Sequence, residues 1–265
     1  MARFERYAAG QFSWVDLMTP NLDDSLRFYG SLFGWMHLTG HDDQGSAYSM
    51  QRLGDLDVAG MGEMPAEMKQ SGMPPVWNSY VTVEDADATA ARAQELGAKL
   101  QMPVLDIRAG GDLIGRTTVV IDPEGAYFSI WQPGRHAGSA VANEPGSFCW
   151  NELCTHDPQA AAKFYGSLFG WEVLPGDADN GYRLIKMGER MNGGMLPWQP
   201  QMGDYPPSWA VYFAVADCDA TVRRVQELGG KLMVGPVDIE PGRFALVADP
   251  LGAVFYVMYL RNPDD

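Results

Sequence analysis

Cysteine is scarce in this 265-residue chain: Cys149, Cys154 and Cys218 are an odd set without metal-type spacing. That excludes a disulfide framework and a thiolate zinc site. Cys149 and Cys154 lie five apart in a strand-like stretch, so they project to opposite faces and cannot pair with each other. Basic residues are also few. Nineteen Lys and Arg face 34 Asp and Glu, a net charge of −15. Such a field repels phosphate backbones and anionic lipid, so neither nucleic acid nor a membrane surface is an expected partner. No apolar run approaches the length of a membrane span. The stretch Met1 to Phe12 lacks the apolar segment and cleavage site of a signal peptide, so a cytoplasmic, reduced protein is expected. What is present, 46% apolar and 20% charged residues, is the composition of a globular protein with room for two domains.

The dominant pattern is an internal repeat. WVDLMTPNLDDSLRFYGSLFGW, from Trp14, returns as WNELCTHDPQAAAKFYGSLFGW from Trp150, with FYGSLFGW identical in both at an offset of 136. VWNSYVTVEDADAT (Val76) matches SWAVYFAVADCDAT (Ser208), and QELGAKL matches QELGGKL, both at offset 132. GRTTVVIDPEGAYFSI (Gly115) matches GRFALVADPLGAVFYV (Gly242) at offset 127. Two copies of one module, 1–138 and 139–265, fill the chain, and their length differences fall in loops.

Each copy divides again. FSWVDLMT alternates as a strand does. Asn21 and Asp157-Pro158 offer the acceptor and proline of a helix start, and Gly34 and Gly170 close the helices. YSMQRL, LDVAGMG, YRLIKMG and MNGGML read as strands. WNSYVTV and WAVYFAV then precede helices capped by Asp85 and Asp217. Strand–helix–three strands therefore occurs four times, an α+β pattern. MPAEMKQSGMPP and PWQPQMGDYPP read as surface connectors whose methionines suit either adaptable lids or plain coverings.

The paired units, the FYxxLFGW segment and the DPxG turn resemble the vicinal oxygen chelate superfamily of glyoxalases, bleomycin-resistance proteins and extradiol dioxygenases. The tandem form is most similar to actinobacterial hydroxylase-like proteins of polyketide pathways and to a mycobacterial culture-filtrate antigen. The resemblance implies four βαβββ units forming two curved eight-stranded, cup-like sheets. It also implies divalent-metal ligands at cup-facing positions, which map to Trp14, Asn78 and Ser129 in the first copy. In the second they map to Trp150, Ala210 and Tyr256, and a fourth position maps to Glu63. Fe, Zn, Ni or Mn needs imidazole or carboxylate there, and none of the six provides it. The expectation is no metal site and no cofactor.

Strand alternation places Asp16 on the face of Trp14, and Glu152 on that of Trp150. These carboxyls are the candidate polar anchors or acid–base groups, and partial burial beside indole would raise their pKa. The plain alternative is an acid satisfied by Arg116 or Arg243. Asn78, Tyr80, Ser129 and Trp131 are expected to line the first cup, and Tyr212, Tyr256 and Met258 the second, with Trp14 and Trp150 as apolar ligand-binding floors and Tyr256 filling part of its cup. Aromatic walls with few polar groups suit a planar organic ligand. The four histidines suggest little: His37 and His41 are set four apart beside a glycine, and His136 and His156 read as surface residues. The DPEG and DPLG turns read as structural. The leading function is a metal-independent protein binding an aromatic or polyketide-like molecule for sequestration or tailoring. Any catalysis would then be metal-independent acid–base chemistry of a tailoring, lyase or isomerase type. The alternatives are a metal-dependent glyoxalase, lyase or dioxygenase, and an interaction protein with vestigial cups. A monomer or homodimer is expected.

Overall fold

The computed structural model describes residues 4–41, 43, 45–176 and 180–262. The first copy contributes β1 (Phe12–Thr19), α1 (Leu22–Phe33), β2 (Met36–His41), β3 (Ala47–Leu53) and β4 (Leu56–Glu63). After a short α2 (Ala66–Gln70) come β5 (Val76–Thr82), α3 (Ala86–Glu95), β6 (Lys99–Leu100), β7 (Leu105–Ala109), β8 (Asp112–Ile121) and β9 (Tyr127–Pro133). The second copy follows with β10 (Phe148–Thr155), α4 (Pro158–Phe169), β11 (Glu172–Pro175), β12 (Arg183–Met187) and β13 (Arg190–Pro197). It closes with β14 (Ser208–Ala214), α5 (Cys218–Glu227), β15 (Lys231–Ile239), β16 (Gly242–Ala248) and β17 (Val254–Leu260). No helix among the described residues is long and apolar enough to cross a membrane.

The helix ends obey their local chemistry. Asn21, Asp85, Asp157 and Asp217 each accept a hydrogen bond from a first-turn amide, and Gly34 and Gly170 take the left-handed conformation that ends α1 and α4. Each copy makes its own sheet, ordered β2-β3-β4-β1-β5-β9-β8-β6 in the first and β11-β12-β13-β10-β14-β17-β16-β15 in the second. The ninth strand of the first sheet, β7, also pairs with β8. The second copy covers that stretch with the single strand β15. The connectors expected to be plain loops hold α2 and a 3-10 turn, Pro200–Met202.

The hydrophobic packing crosses between copies. One core joins Leu17, Leu26, Tyr29, Trp35 and Trp77 of the first copy to Phe213, Val222, Val247 and Phe255 of the second. The other joins Val81, Ala90, Phe128 and Ile130 to Leu153, Phe164, Tyr165, Trp171 and Trp209. FYGSLFGW is the clasp. Tyr29 Oη donates to Asp249 Oδ2 (3.1 Å) and accepts from Trp77 Nε1 (3.0 Å). Reciprocally, Tyr165 Oη donates to Asp122 Oδ2 (2.8 Å) and accepts from Trp209 Nε1 (2.8 Å). Trp35 and Trp171 donate to the carbonyls of Gly146 and Gly10 in the opposite copies. Asp122 and Asp249 also accept amides of their own DPxG turns, so these aspartates fix the turn and the junction together.

Candidate functional site

The face of each sheet turned away from these cores carries the candidate residues. Directly paired residues share a face, so the register draws rows across each cup. One row in the first sheet runs Leu38–Met50–Gly60–Asp16–Asn78, and its counterpart in the second runs Leu174–Leu184–Gly194–Glu152–Ala210. The next row is Trp14–Tyr80–Ser129–Val119 in the first cup and Trp150–Tyr212–Tyr256–Leu246–Val234 in the second. A third runs Thr82–Trp131–Thr117–Leu105 against Ala214–Met258–Phe244–Val237.

In the first cup the Asp16 carboxyl is buried under three donors. Asn78 Nδ2 reaches Oδ1 at 2.9 Å, and Tyr80 Oη and Tyr48 Oη reach Oδ2 at 2.9 and 3.2 Å. Trp14 Nε1 donates to Tyr48 Oη at 3.0 Å, and Ser129 hydrogen-bonds Tyr80. The second cup repeats the plan. Tyr212 Oη donates to Glu152 Oε1 at 2.9 Å, Tyr182 donates to the same carboxyl, and Trp150 Nε1 donates to Tyr182 Oη at 2.9 Å. Burial away from water raises the pKa of both acids, against the opposing hydrogen bonds, and brings Glu152 to about 7. Glu152 therefore changes protonation near neutrality, and in its protonated form such a carboxyl can donate a hydrogen bond as well as accept one.

Tyr48 and Tyr182 complete both acid clusters and were not singled out from the sequence. The signal was there: YSMQRL and YRLIKMG are matching segments that each begin with tyrosine. Each depends on a glycine, because a Cβ at Gly60 would lie 1.8 Å from Tyr48 Oη and one at Gly194 would lie 1.9 Å from Tyr182 Oη.

Three expectations need correction. Arg116 and Arg243 do not reach the cup acids: Arg116 pairs with Asp87 and Asp106, and Arg243 with Asp219 and Asp238. Both copies keep these arginines at the helix-proximal edge, where acidic neighbours are closer. Glu63 does not face the cup, because Gly60 and Gly62 lie against Tyr48 there and alternation turns Glu63 to the other side, where it pairs with Lys69. His136, expected at the surface, is half-buried. Its ring packs edge-on to Trp14 (centroids 4.4 Å apart) and to Trp131 (5.9 Å), because the chain leaving β9 is drawn back beneath β1.

The six positions mapped as metal ligands hold indole, amide, hydroxyl, methyl and phenol groups. Among the described residues no group of three His, Cys, Asp or Glu side chains converges to hold a metal ion. Asp16 and Glu152 are single carboxyls committed to tyrosines, so the donor chemistry does not fit the divalent site of the superfamily's metalloenzymes. All three cysteines are free thiols.

The cups also differ. In the second, Tyr256 stacks flat on Tyr212 (4.0 Å, 3°) and both abut Phe244. The first keeps Asn78, Ser129 and Thr117 at the corresponding places.

Comparison with known proteins settles the family. The model of the Glyoxalase/Bleomycin resistance protein/Dioxygenase superfamily matches residues 11–129 and again 145–257. The chain belongs to this superfamily. It is 39% identical, over 97% of its length and 98% of the relative, to CFP32 of Mycobacterium tuberculosis (strain CDC 1551 / Oshkosh), whose name describes it provisionally as a glyoxylase. It is 35% identical to the anthracycline biosynthesis protein DnrV of Streptomyces peucetius, over 97% of this chain and 96% of that one. The Mn(II)-bound glyoxalase from Novosphingobium aromaticivorans superposes with a TM-score of 0.65 at 16% identity, covering 98% of this chain and 83% of that one. The 2,3-dioxygenase LapB from Pseudomonas sp. KL28 superposes with a TM-score of 0.64 at 14% identity, covering 94% and 91%. These two similarities concern the fold.

Proposed function

We propose that this protein is a metal-independent binder of small planar aromatic molecules, held in the cups with the buried carboxyls of Asp16 and Glu152 as polar anchors. The observation that carries this reading is the acid cluster itself. A carboxyl buried beside tryptophan, with tyrosine hydroxyls as its donors and no cation paired to it among the described residues, occurs at matched positions in both copies. A merely structural acid would be cheaper to replace with an apolar residue. The walls suit such a ligand: Leu38 and Leu105 stand 60% and 37% exposed at opposite lips of the first cup, and Val234 and Val237 stand exposed at the lip of the second. Relatives named for anthracycline biosynthesis support an aromatic polyketide as the ligand class, for sequestration or tailoring. Any chemistry would be proton transfer by the carboxyls, because the donor set fits no catalytic metal.

The test is elemental analysis of purified protein together with thermal unfolding in the presence of polycyclic phenols. Less than about one-tenth of a transition metal per chain, and a melting point that climbs with ligand concentration, are expected from native-state binding. One metal per module, or activity lost to chelator and restored by metal, would overturn it. The Tyr212–Tyr256 stack favours a second reading for the second cup alone, that it is filled by its own rings and vestigial. One ligand per chain at saturation supports that, and two oppose it.

A further inference from the structure

His136 is the group in the first cup that the acid cluster leaves unexplained. Its backbone is pinned twice: its amide donates to Ile114 O at 3.1 Å, and its carbonyl accepts Trp131 Nε1 at 2.9 Å. The side chain is thereby held over Trp14, yet Nε2 is shielded from water and has no hydrogen-bond partner. A buried polar nitrogen without a partner costs free energy, and native proteins seldom leave one without cause. Burial also holds the imidazole pKa below its ordinary value, with Asp57 opposing, which keeps the ring neutral near pH 7. Among the described residues the imidazole meets the rings of Trp14 and Trp131 and the charge of Asp57, and no side-chain hydrogen bond fixes its rotation. Among the described residues the second cup has no counterpart: His37 and His41 lie on β2, and His156 packs on Trp198.

Resting on the reading above, we propose that the first cup selects a phenolic ligand, whose hydroxyl satisfies His136 Nε2 as the ring settles beside Trp14 and Trp131. A phenol both donates and accepts, so it pairs with Nε2 in either tautomer. The linker between the copies thus supplies the specificity of the first cup, and the second cup lacks it.

Two probes differing by one hydroxyl, 2-naphthol and naphthalene, test this by tryptophan-fluorescence titration of the full chain. Wild-type protein is expected to bind 2-naphthol about tenfold more tightly than naphthalene at one site, the scale of one good hydrogen bond. His136→Phe keeps a ring against Trp14 and removes both nitrogens, so the tenfold preference is expected to collapse to about parity. His136→Gln, which restores an amide, recovers part of the preference. In 15N spectra of the wild type, 2-naphthol moves the His136 Nε2 resonance and naphthalene does not. The same preference in wild type and His136→Phe, or none in wild type, overturns this assignment and leaves the aromatic-binding reading standing. Binding of neither probe overturns both.

Discussion

The two cups share a floor plan and differ in what fills it. Trp14, Asp16, Gly60 and Tyr80 have Trp150, Glu152, Gly194 and Tyr212 as counterparts in the sheet register, and Tyr48 and Tyr182 match in their contacts with the tryptophan and the glycine. Around that shared cluster the first cup places Asn78, Ser129 and His136, and the second places Ala210, Tyr256 and Phe244. The cluster is therefore what the fold keeps twice, and its surroundings are where the copies specialise. Three hydrogen bonds on Asp16 against tyrosines alone on Glu152 make the first cup the more polar. Tyr256 puts a stacked ring where the first cup has the smaller Ser129.

Removing the floors tests this contrast hardest. Trp14 is 4% exposed and carries His136 on its ring, whereas Trp150 is only partly buried. Trp14→Ala is expected to cost about 3–5 kcal/mol of stability and Trp150→Ala distinctly less, from urea unfolding. Equal losses would mean that the cups are packed alike.

The buried acids set a pH dependence. Glu152 titrates near 7 in the folded chain and near the ordinary glutamate value when unfolded. The folded state therefore binds more protons between those values. Its stabilisation is complete below the unfolded pKa and is lost as pH rises through about 7. Unfolding free energy should fall by up to about 3 kcal/mol across that window, after Asp16, shifted the same way, is allowed for with Asp16→Asn. Glu152→Gln should flatten that part of the curve. An unchanged slope in this variant would show that the second carboxyl is ionised throughout.

The glycines beneath the tyrosines come next. Gly60→Ala and Gly194→Ala each drive a methyl into a tyrosine hydroxyl, and overpacking of this kind costs about 1–3 kcal/mol. In the first cup the expelled Tyr48 also strips a donor from Asp16 and the partner from Trp14 Nε1. Probe affinity at that site should drop with stability. Stability loss with intact affinity would separate Tyr48 from ligand contact.

Much of this was legible in the sequence because it is local or repeated. The helix caps at Asn21, Asp85, Asp157 and Asp217 follow from a side chain and the amides that it serves. The facing of Trp14 with Asp16 follows from period-two alternation. The repeat aligned the copies without any structure. What stayed hidden depends on contacts made far along the chain. Tyr48 meets Asp16 only once β3 and β4 are in register, and the glycine that admits it reads in sequence as a weak strand residue. His136 looked like linker because nothing local shows that the linker folds back beneath β1. The arginines failed as partners for the acids for the same reason: their distance from Asp16 and Glu152 is set by the sheet, while Asp106 and Asp238 lie on the strand beside them. The crossed cores were equally invisible, since either copy could have buried its own helices.

That crossing gives the smallest and sharpest comparison. Tyr29→Phe removes the hydroxyl between Trp77 Nε1 and Asp249 Oδ2, and Tyr165→Phe removes the one between Trp209 Nε1 and Asp122 Oδ2. Each variant leaves a buried indole N–H and a buried carboxylate oxygen short of a partner, at a cost of about 1–3 kcal/mol. Unlike the cups, the two latches have the same residue types, all buried, on the equivalent helices α1 and α4, so their costs should agree within about 0.5 kcal/mol, and the double variant should show their sum, the sites lying in separate cores. The asymmetry of this molecule would then be confined to its concave faces. Unequal costs from denaturant unfolding would place part of it in the junction, and a double variant well off the sum would show that the two cores are coupled.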